Sequence, residues 1–62
     1  MDKSEADALR RDSRAHIAAG HTVTDEALVN WKRGRGCLSA RDMLVPAKRR
    51  AWLAAARAIL GL

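Results

Sequence analysis

The chain has 62 residues, a formal net charge of +5 and 48% apolar residues, much of that fraction alanine. This length allows one domain at most, and a domain so short buries only about 60% of the surface of its unfolded chain. The apolar content is too high for a disordered tail, and no apolar run approaches the roughly 20 residues of a membrane-spanning helix.

The positive charge is concentrated in the second half of the chain. Residues 1–31 carry six acidic and four basic side chains, a net −2, whereas residues 32–62 carry eight Lys or Arg and one Asp, a net +7. This asymmetry predicts a polyanionic partner, with double-stranded DNA ahead of an anionic membrane. A solvated surface that keeps a small protein soluble is the alternative. The lone Cys37 and the acidic start of the chain, unlike a signal peptide, favour a cytoplasmic location.

The first predicted helix runs from about Ser4 to Ala19. Ser4 is a suitable N-cap, and Gly20 ends the helix. A break near residues 10–13, which would give two short helices, is equally compatible with the sequence. The face predicted to pack on the core carries Ala6, Leu9, Ser13 and Ile17 at helical spacing.

The second helix, Thr24 to Arg33, has the most consistent signals. Thr24 is the predicted N-cap, acidic residues occupy the first turn, basic residues occupy the last turn, and Gly34 terminates the helix. Leu28 and Trp31 lie three residues apart on one face and are predicted to anchor the helix on the core.

Two further helices are predicted after the glycines. A short one covers Ser39 to Leu44, with Ser39 as its cap and Met43 and Leu44 pointing inward. Pro46 fits the first turn of a last helix that runs to about Leu60. The sequence thus predicts an all-α, three- to four-helix single domain spanning residues 1–62.

The last helix, residues 46–60, carries an apolar stripe that predicts a homodimer interface. Its members are Trp52, Leu53, Ala56, Ile59 and Leu60. The alternative is that this stripe packs back over Leu9, Ile17 and Leu28 to complete the core of a monomer.

Residues 13–34 have the organisation of a helix-turn-helix. Ala18 is small enough for a crossing helix to approach closely, and Val23 in the turn fills the gap between the two helices. Leu28 and Trp31 hold the second helix from behind, which leaves its outer face for the major groove of DNA.

The stretch Trp31-Lys-Arg-Gly34, followed by a basic loop and a short helix, resembles the helix-turn-helix of phage Cro and Xre-type repressors. The resemblance covers about half of the chain, residues 17–44, and implies a transcriptional regulator that acts by operator occupancy. The base contacts expected on this interpretation are Thr24, Asp25, Glu26, Val29 and Asn30, with Asn30 as the best candidate for adenine recognition. The expected phosphate contacts are Arg14, Lys32, Arg33, Arg35 and Arg41.

Two other interpretations remain open. The same residues also fit a plain helical hairpin, with Thr24 as a cap and Leu28 and Trp31 as core. A second resemblance is to Fic-inhibiting antitoxins, because Thr22 and Glu26 have the spacing of the inhibitory motif, although Ala27 stands where that motif has Gly or Asn. The alternative function is therefore a small helical inhibitor or antitoxin that binds a toxin or host protein.

The sequence offers little support for catalysis. His16 and His21 lie five residues apart, rather than the four that share a helix face, and Cys37 is the only other soft metal ligand. There is no glycine-rich phosphate loop after a strand, and no Ser-His-acid set with room for a pocket. We therefore expect a protein that is not an enzyme and that uses no cofactor or metal.

Overall fold

The computed structural model describes residues 1–35 and 38–62. For residues 38–40 it describes the backbone only. It has three α-helices, α1 (Lys3–Ala18), α2 (Asp25–Gly34) and α3 (Pro46–Leu60), and a 3-10 helix, Leu38–Leu44, before α3. The described residues contain no strand, which confirms the all-α prediction. Cys37 and the predicted cap formed by the Ser39 side chain lie outside the described part of the chain.

Helix α1 is continuous from Lys3 to Ala18, so the alternative break near residues 10–13 does not occur. Its N-cap is Asp2 and not Ser4, because the Asp2 carboxylate accepts a hydrogen bond from the Glu5 backbone N–H at 2.7 Å. An acidic cap also interacts favourably with the positive end of the helix dipole.

The predicted inner face of α1 is correct except at its last turn. Ala6, Leu9 and Ser13 are buried, but Ile17 is 55% exposed. The residues around Ile17, among them Val23, are themselves only partly buried. No described element therefore covers this turn, and the prediction that Ile17 packs in the core is wrong.

Helix α2 begins at the predicted cap, since the Ala27 backbone N–H donates to Thr24 Oγ1 at 3.1 Å. Leu28 is fully buried, as expected for an anchor. Trp31 is half-buried, packs against the core and stacks on Trp52, with the ring centres 6.3 Å apart.

The 3-10 helix buries Met43 but leaves Leu44 70% exposed, so the prediction that both point inward is wrong. A 3-10 helix has three residues per turn, and adjacent side chains therefore point in different directions. Helix α3 begins at Pro46 and ends at Leu60, as predicted, with Gly61 as its C-cap at φ +74°. That left-handed conformation suits glycine, which has no Cβ.

The core consists of one buried residue from each α-helix, Leu9, Leu28 and Ala56, with larger side chains packed around them. Most of the apolar stripe of α3, including Trp52 and Leu53, belongs to this cluster. Ala56 has no exposed surface, so its assignment to a dimer interface is wrong. The core of a chain this short needs the α3 stripe, because α1 and α2 contribute few large apolar side chains.

Helix α2 runs in the opposite direction to α1 and α3. Lys32, near the end of α2, contacts Glu5 near the start of α1, whereas Asp25 at the start of α2 contacts Arg57 near the end of α3. The molecule therefore has two ends, which we call the basic end (the end of α2, the 3-10 helix and the start of α3) and the far end (the start of α2 and the ends of α1 and α3).

The contact between α1 and α2 differs from the predicted one. Ala18 is exposed and is not a point of close helix approach. The two helices instead meet through long side chains, with Trp31 bonded to Asp12 and Lys32 to Glu5. Within the described residues, no helix is long and apolar enough to cross a membrane.

Candidate nucleic-acid interface

The outer face of α2 presents Glu26, Asn30 and Arg33 to solvent. These residues are spaced four and three apart, so they lie along one side of the helix. Val29, also predicted to read bases, is half-buried beside them. Asn30 and Glu26 are thus the predicted base contacts whose side chains lie on open surface.

Thr24 and Asp25, the other two predicted base contacts, are already engaged within the chain. The Thr24 hydroxyl caps α2. The Asp25 carboxylate accepts from Arg57 Nε at 2.8 Å and Nη2 at 2.5 Å. The ion pair offsets a negative charge at the start of α2 that would otherwise repel phosphates. Both residues contribute more to the structure of α2 than to a free recognition surface.

Lys32 does not lie on the surface. It is 4% exposed, its ammonium donates to the buried Glu5 carboxylate, and it lies 5.8 Å from the centre of the Trp52 ring. The prediction that Lys32 contacts a phosphate is therefore wrong. The helical spacing indicates that both residues face the core. Lys32 follows the core residue Leu28 by four positions, and Glu5 precedes the core residue Leu9 by four.

Arg35, at the C-cap of α2, is held over an aromatic ring. Its guanidinium carbon lies 4.9 Å from the centre of the Trp31 ring. Trp31 Nε1 in turn donates to Asp12 at 2.7 Å. A guanidinium that stacks on an aromatic face retains its N–H donors at its edge, where they can bind an anion.

The Asp12 carboxyl stays ionised to a lower pH than that of an ordinary aspartate. The hydrogen bond from Trp31 lowers the pKa of the Asp12 carboxyl below its ordinary value, and a second hydrogen bond from Arg11 lowers it further. Both bonds favour the ionised form because they donate to it. Asp12 was not among the predicted contact residues, and its partner Trp31 lies 19 positions away.

The first turn of α3 adds a second set of cations. It contains Lys48 and Arg49, no acidic residue and no side-chain cap, and Arg50 follows at the start of the second turn. Lys48 pairs with Asp42 at 3.3 Å, and Arg50 is exposed. Positive charges are unfavourable here, because the N-terminus of a helix is the positive end of its dipole.

The cations of α2, the 3-10 helix and α3 lie at the same end of the molecule. A cleft of about 450 Å³ at this end is lined by the basic residues Lys32, Arg35 and Lys48 and also by the acidic residues Asp2, Glu5 and Asp42. Within the described residues, Arg33, Arg41 and Arg50 form no ion pair with a carboxylate. The basic end as a whole carries Arg33, Arg35, Arg41, Lys48, Arg49 and Arg50.

Arg14 is separated from these cations. It lies on α1 and lines a groove with Ile59 and Leu60 at the far end. It is exposed, as a phosphate contact would be, but the fold does not bring it together with Arg33, Arg35 and Arg41.

His16 and His21 stack on one another, with ring centres 4.8 Å apart and an interplanar angle of 23°. Imidazole nitrogens bind metals in the ring plane, so two nearly parallel stacked rings do not converge on one ion. Over the described part of the chain, no three His, Cys, Asp or Glu residues are grouped to hold a metal.

Comparison of the chain with protein-family models, curated proteins and solved structures gives no match. The resemblance of residues 17–44 to Cro and Xre-type repressors therefore remains a prediction, and a functional assignment depends on the residues of this chain alone.

Proposed function

We propose that this protein binds double-stranded DNA and acts as a regulator by occupying its site. The observation that carries the proposal is the exposed face of α2, where Asn30 and Arg33 adjoin a cluster of cations on three contacting elements. An α-helix fits the major groove, which is about 12 Å wide. Helix α2, with 10 residues, is about 15 Å long, which is more than that width.

The contacts would divide into two kinds. Arg33, Arg35, Arg41 and Arg50 would neutralise phosphates and fix the register of the protein on the duplex. Asn30 would read a base edge, since its amide can pair with adenine through two hydrogen bonds. In this proposal α2 acts as the recognition helix, and α1 and α2, which run in opposite directions and meet through long side chains, take the place of the crossed helices of a helix-turn-helix.

The stacked Arg35 supports the proposal. A free arginine side chain loses rotamer entropy when it binds a phosphate. Arg35 has already lost part of that freedom because its guanidinium rests on Trp31. Its affinity for a phosphate should accordingly be higher than that of a freely moving surface arginine.

The first turn of α3 also supports a polyanionic partner. Two cations in that turn, Lys48 and Arg49, each destabilise the free protein by a few tenths of a kcal/mol through the helix dipole. A nearby phosphate backbone would reverse the sign of that interaction. Binding of an anion explains why these unfavourable charges are present at the start of α3. A surface that serves only solubility would not need them at this position.

The proposal can be tested by fluorescence anisotropy with duplexes enriched from a random-sequence library. Four to six phosphate contacts predict that affinity falls by about two to three orders of magnitude between 50 and 200 mM salt. Replacing Arg33 by Glu should weaken binding strongly. The matched control is Arg14→Glu, the same charge change at the far end, which should have a much smaller effect. Equal losses in the two variants, or an affinity that does not depend on salt, would contradict the proposal.

Base reading is tested separately with Asn30→Ala. Loss of a bidentate contact costs about 1–3 kcal/mol of discrimination. The variant should therefore bind its enriched duplex more weakly but bind a random duplex as the wild type does. An equal loss on both duplexes would assign Asn30 to the phosphate backbone.

A further inference from the structure

An apolar groove at the far end has no role in the proposed DNA binding. It has a volume of about 190 Å³ and lies between the last turns of α1 and α3. Its apolar lining consists of Ile17, Val23, Ile59, Leu60 and Leu62. Ile17, on a regular helix, leaves 55% of its surface in water.

The size of the groove indicates what it can hold. Pockets for small molecules usually measure about 300–1,000 Å³, so this groove is too small for a ligand of that class. It is large enough for one or two apolar side chains. Such a site is typical of peptide recognition, in which a segment of a partner places a few anchoring residues in a groove.

The charges at the rim indicate the chemistry of that segment. The charged residues that line the groove are Arg10 and Arg14. Arg10 pairs with Asp7 at 3.1 Å, whereas Arg14 forms no ion pair within the described residues. A complementary partner carries carboxylates beside its apolar anchors. A second copy of this face, placed against the first, would bring arginines near arginines.

We propose that the groove docks an acidic amphipathic segment of a partner protein. One or two large apolar side chains of that segment pack on Ile17 and Leu60, and a neighbouring carboxylate pairs with Arg14. Since the groove is at the far end and the cations of the proposed DNA interface are at the basic end, the protein holds DNA and the partner at the same time.

The test is a selection of random 16-residue peptides displayed on phage against the full chain, followed by calorimetry with the enriched peptides. We expect enriched peptides that combine large apolar residues with Asp or Glu. Ile17→Glu should weaken their binding about tenfold or more, because it places a charge in the apolar contact and faces an acidic peptide. Arg14→Glu should weaken binding, while Arg14→Lys retains most of it. Circular dichroism should show that these variants stay folded, because both positions are exposed.

The matched control is Ala15→Glu, which adds the same charge to an exposed position of α1 that does not line the groove. Its peptide affinity should stay within about twofold of the wild type. Peptides without acidic residues, or peptides that bind the Ile17→Glu variant equally well, would overturn the proposal. A dimer in light scattering that Ile17→Glu converts to a monomer would also overturn it and assign the groove to a second copy. Ile17→Glu should leave DNA affinity unchanged, so the two proposals fail independently.

Discussion

Replacement of Lys32 by Met tests whether this residue belongs to the core or to the DNA interface. The substitution keeps the length of the side chain and removes its charge. The Glu5 carboxylate then remains buried without a cation to pair with. Removal of one partner of a buried ion pair lowers the free energy of unfolding by about 3–5 kcal/mol. A chain of 62 residues has a total stability of about 3–9 kcal/mol. The single variant should therefore lose at least about a third of its free energy of unfolding.

The double variant Glu5→Leu/Lys32→Met should recover most of the lost stability. Apolar residues of similar volume often replace a buried ion pair at no cost, or with a gain of about 1–4 kcal/mol. Urea denaturation at pH 7, followed by circular dichroism and tryptophan emission, measures both effects. The double variant keeps the net charge of the chain, so it is also a fair test of DNA binding. Its affinity and its salt dependence should match those of the wild type.

Two results would refute this reasoning. If the Lys32→Met variant were as stable as the wild type, the ion pair would not be buried in solution. If the double variant folded but the slope of its salt dependence fell by about one, Lys32 would be a phosphate contact after all.

Three further predictions concern Asp12, Arg50 and Ala56. Because the native pKa of Asp12 is lowered, its stabilising bonds are fully present above its unfolded pKa of 3.8 and are lost as the pH falls through the lower native value. Wild type and Asp12→Asn should thus differ in urea stability at pH 6, and the difference should shrink as the pH falls below 3.8; a constant difference would contradict this. Arg50→Glu should weaken duplex binding and change thermal stability by less than about 0.3 kcal/mol, because the helix dipole acts mainly on the first turn of α3; a clear loss of stability would indicate a structural contact. Ala56→Leu should destabilise the monomer by about 1–3 kcal/mol in urea, whereas a stabilised dimer in light scattering would return Ala56 to an interface.

The local features of this fold were predictable from the sequence because their causes are local. The Thr24 cap, the stop at Gly20 and the start at Pro46 each depend on one residue and its immediate neighbours. The bounds of α2 and α3 were therefore close to the observed ones. The cap of α1 was misassigned because Asp2 and Ser4 are both good N-caps, and only the backbone decides between them.

Errors arose where the outcome depended on distant parts of the chain. Helical periodicity correctly placed Ile17 on the same face as Leu9, but it could not tell that no element covers the last turn of α1. The apolar stripe of α3 was correctly identified, but the sequence left open whether it forms a dimer interface or packs back over Leu9 and Leu28, as most of it does in the structure, because the sequence does not show how much core the other helices supply.

The net positive charge of the candidate interface was predictable from the sequence. Which cations lie on its surface was not. Asp25 pairs with Arg57 and Lys32 pairs with Glu5, across 32 and 27 positions of sequence. Such pairings decide which cations remain available, and they follow from the antiparallel direction of α2. Lys32 was read as a surface charge because it adjoins Arg33, although its spacing from Leu28 assigned it to the inner face.

The division into two ends bears on how so small a protein could act as a regulator. A single helix in one major groove makes a small interface with modest affinity at physiological salt. Ala56 and most of the α3 stripe pack in the core, so Ala56 is not available to recruit a second DNA-binding unit. A partner held in the Ile17 groove could supply that second unit, because linked sites gain affinity through their effective concentration. On this view the far end determines which complex the protein joins, and the basic end determines where on DNA that complex is placed.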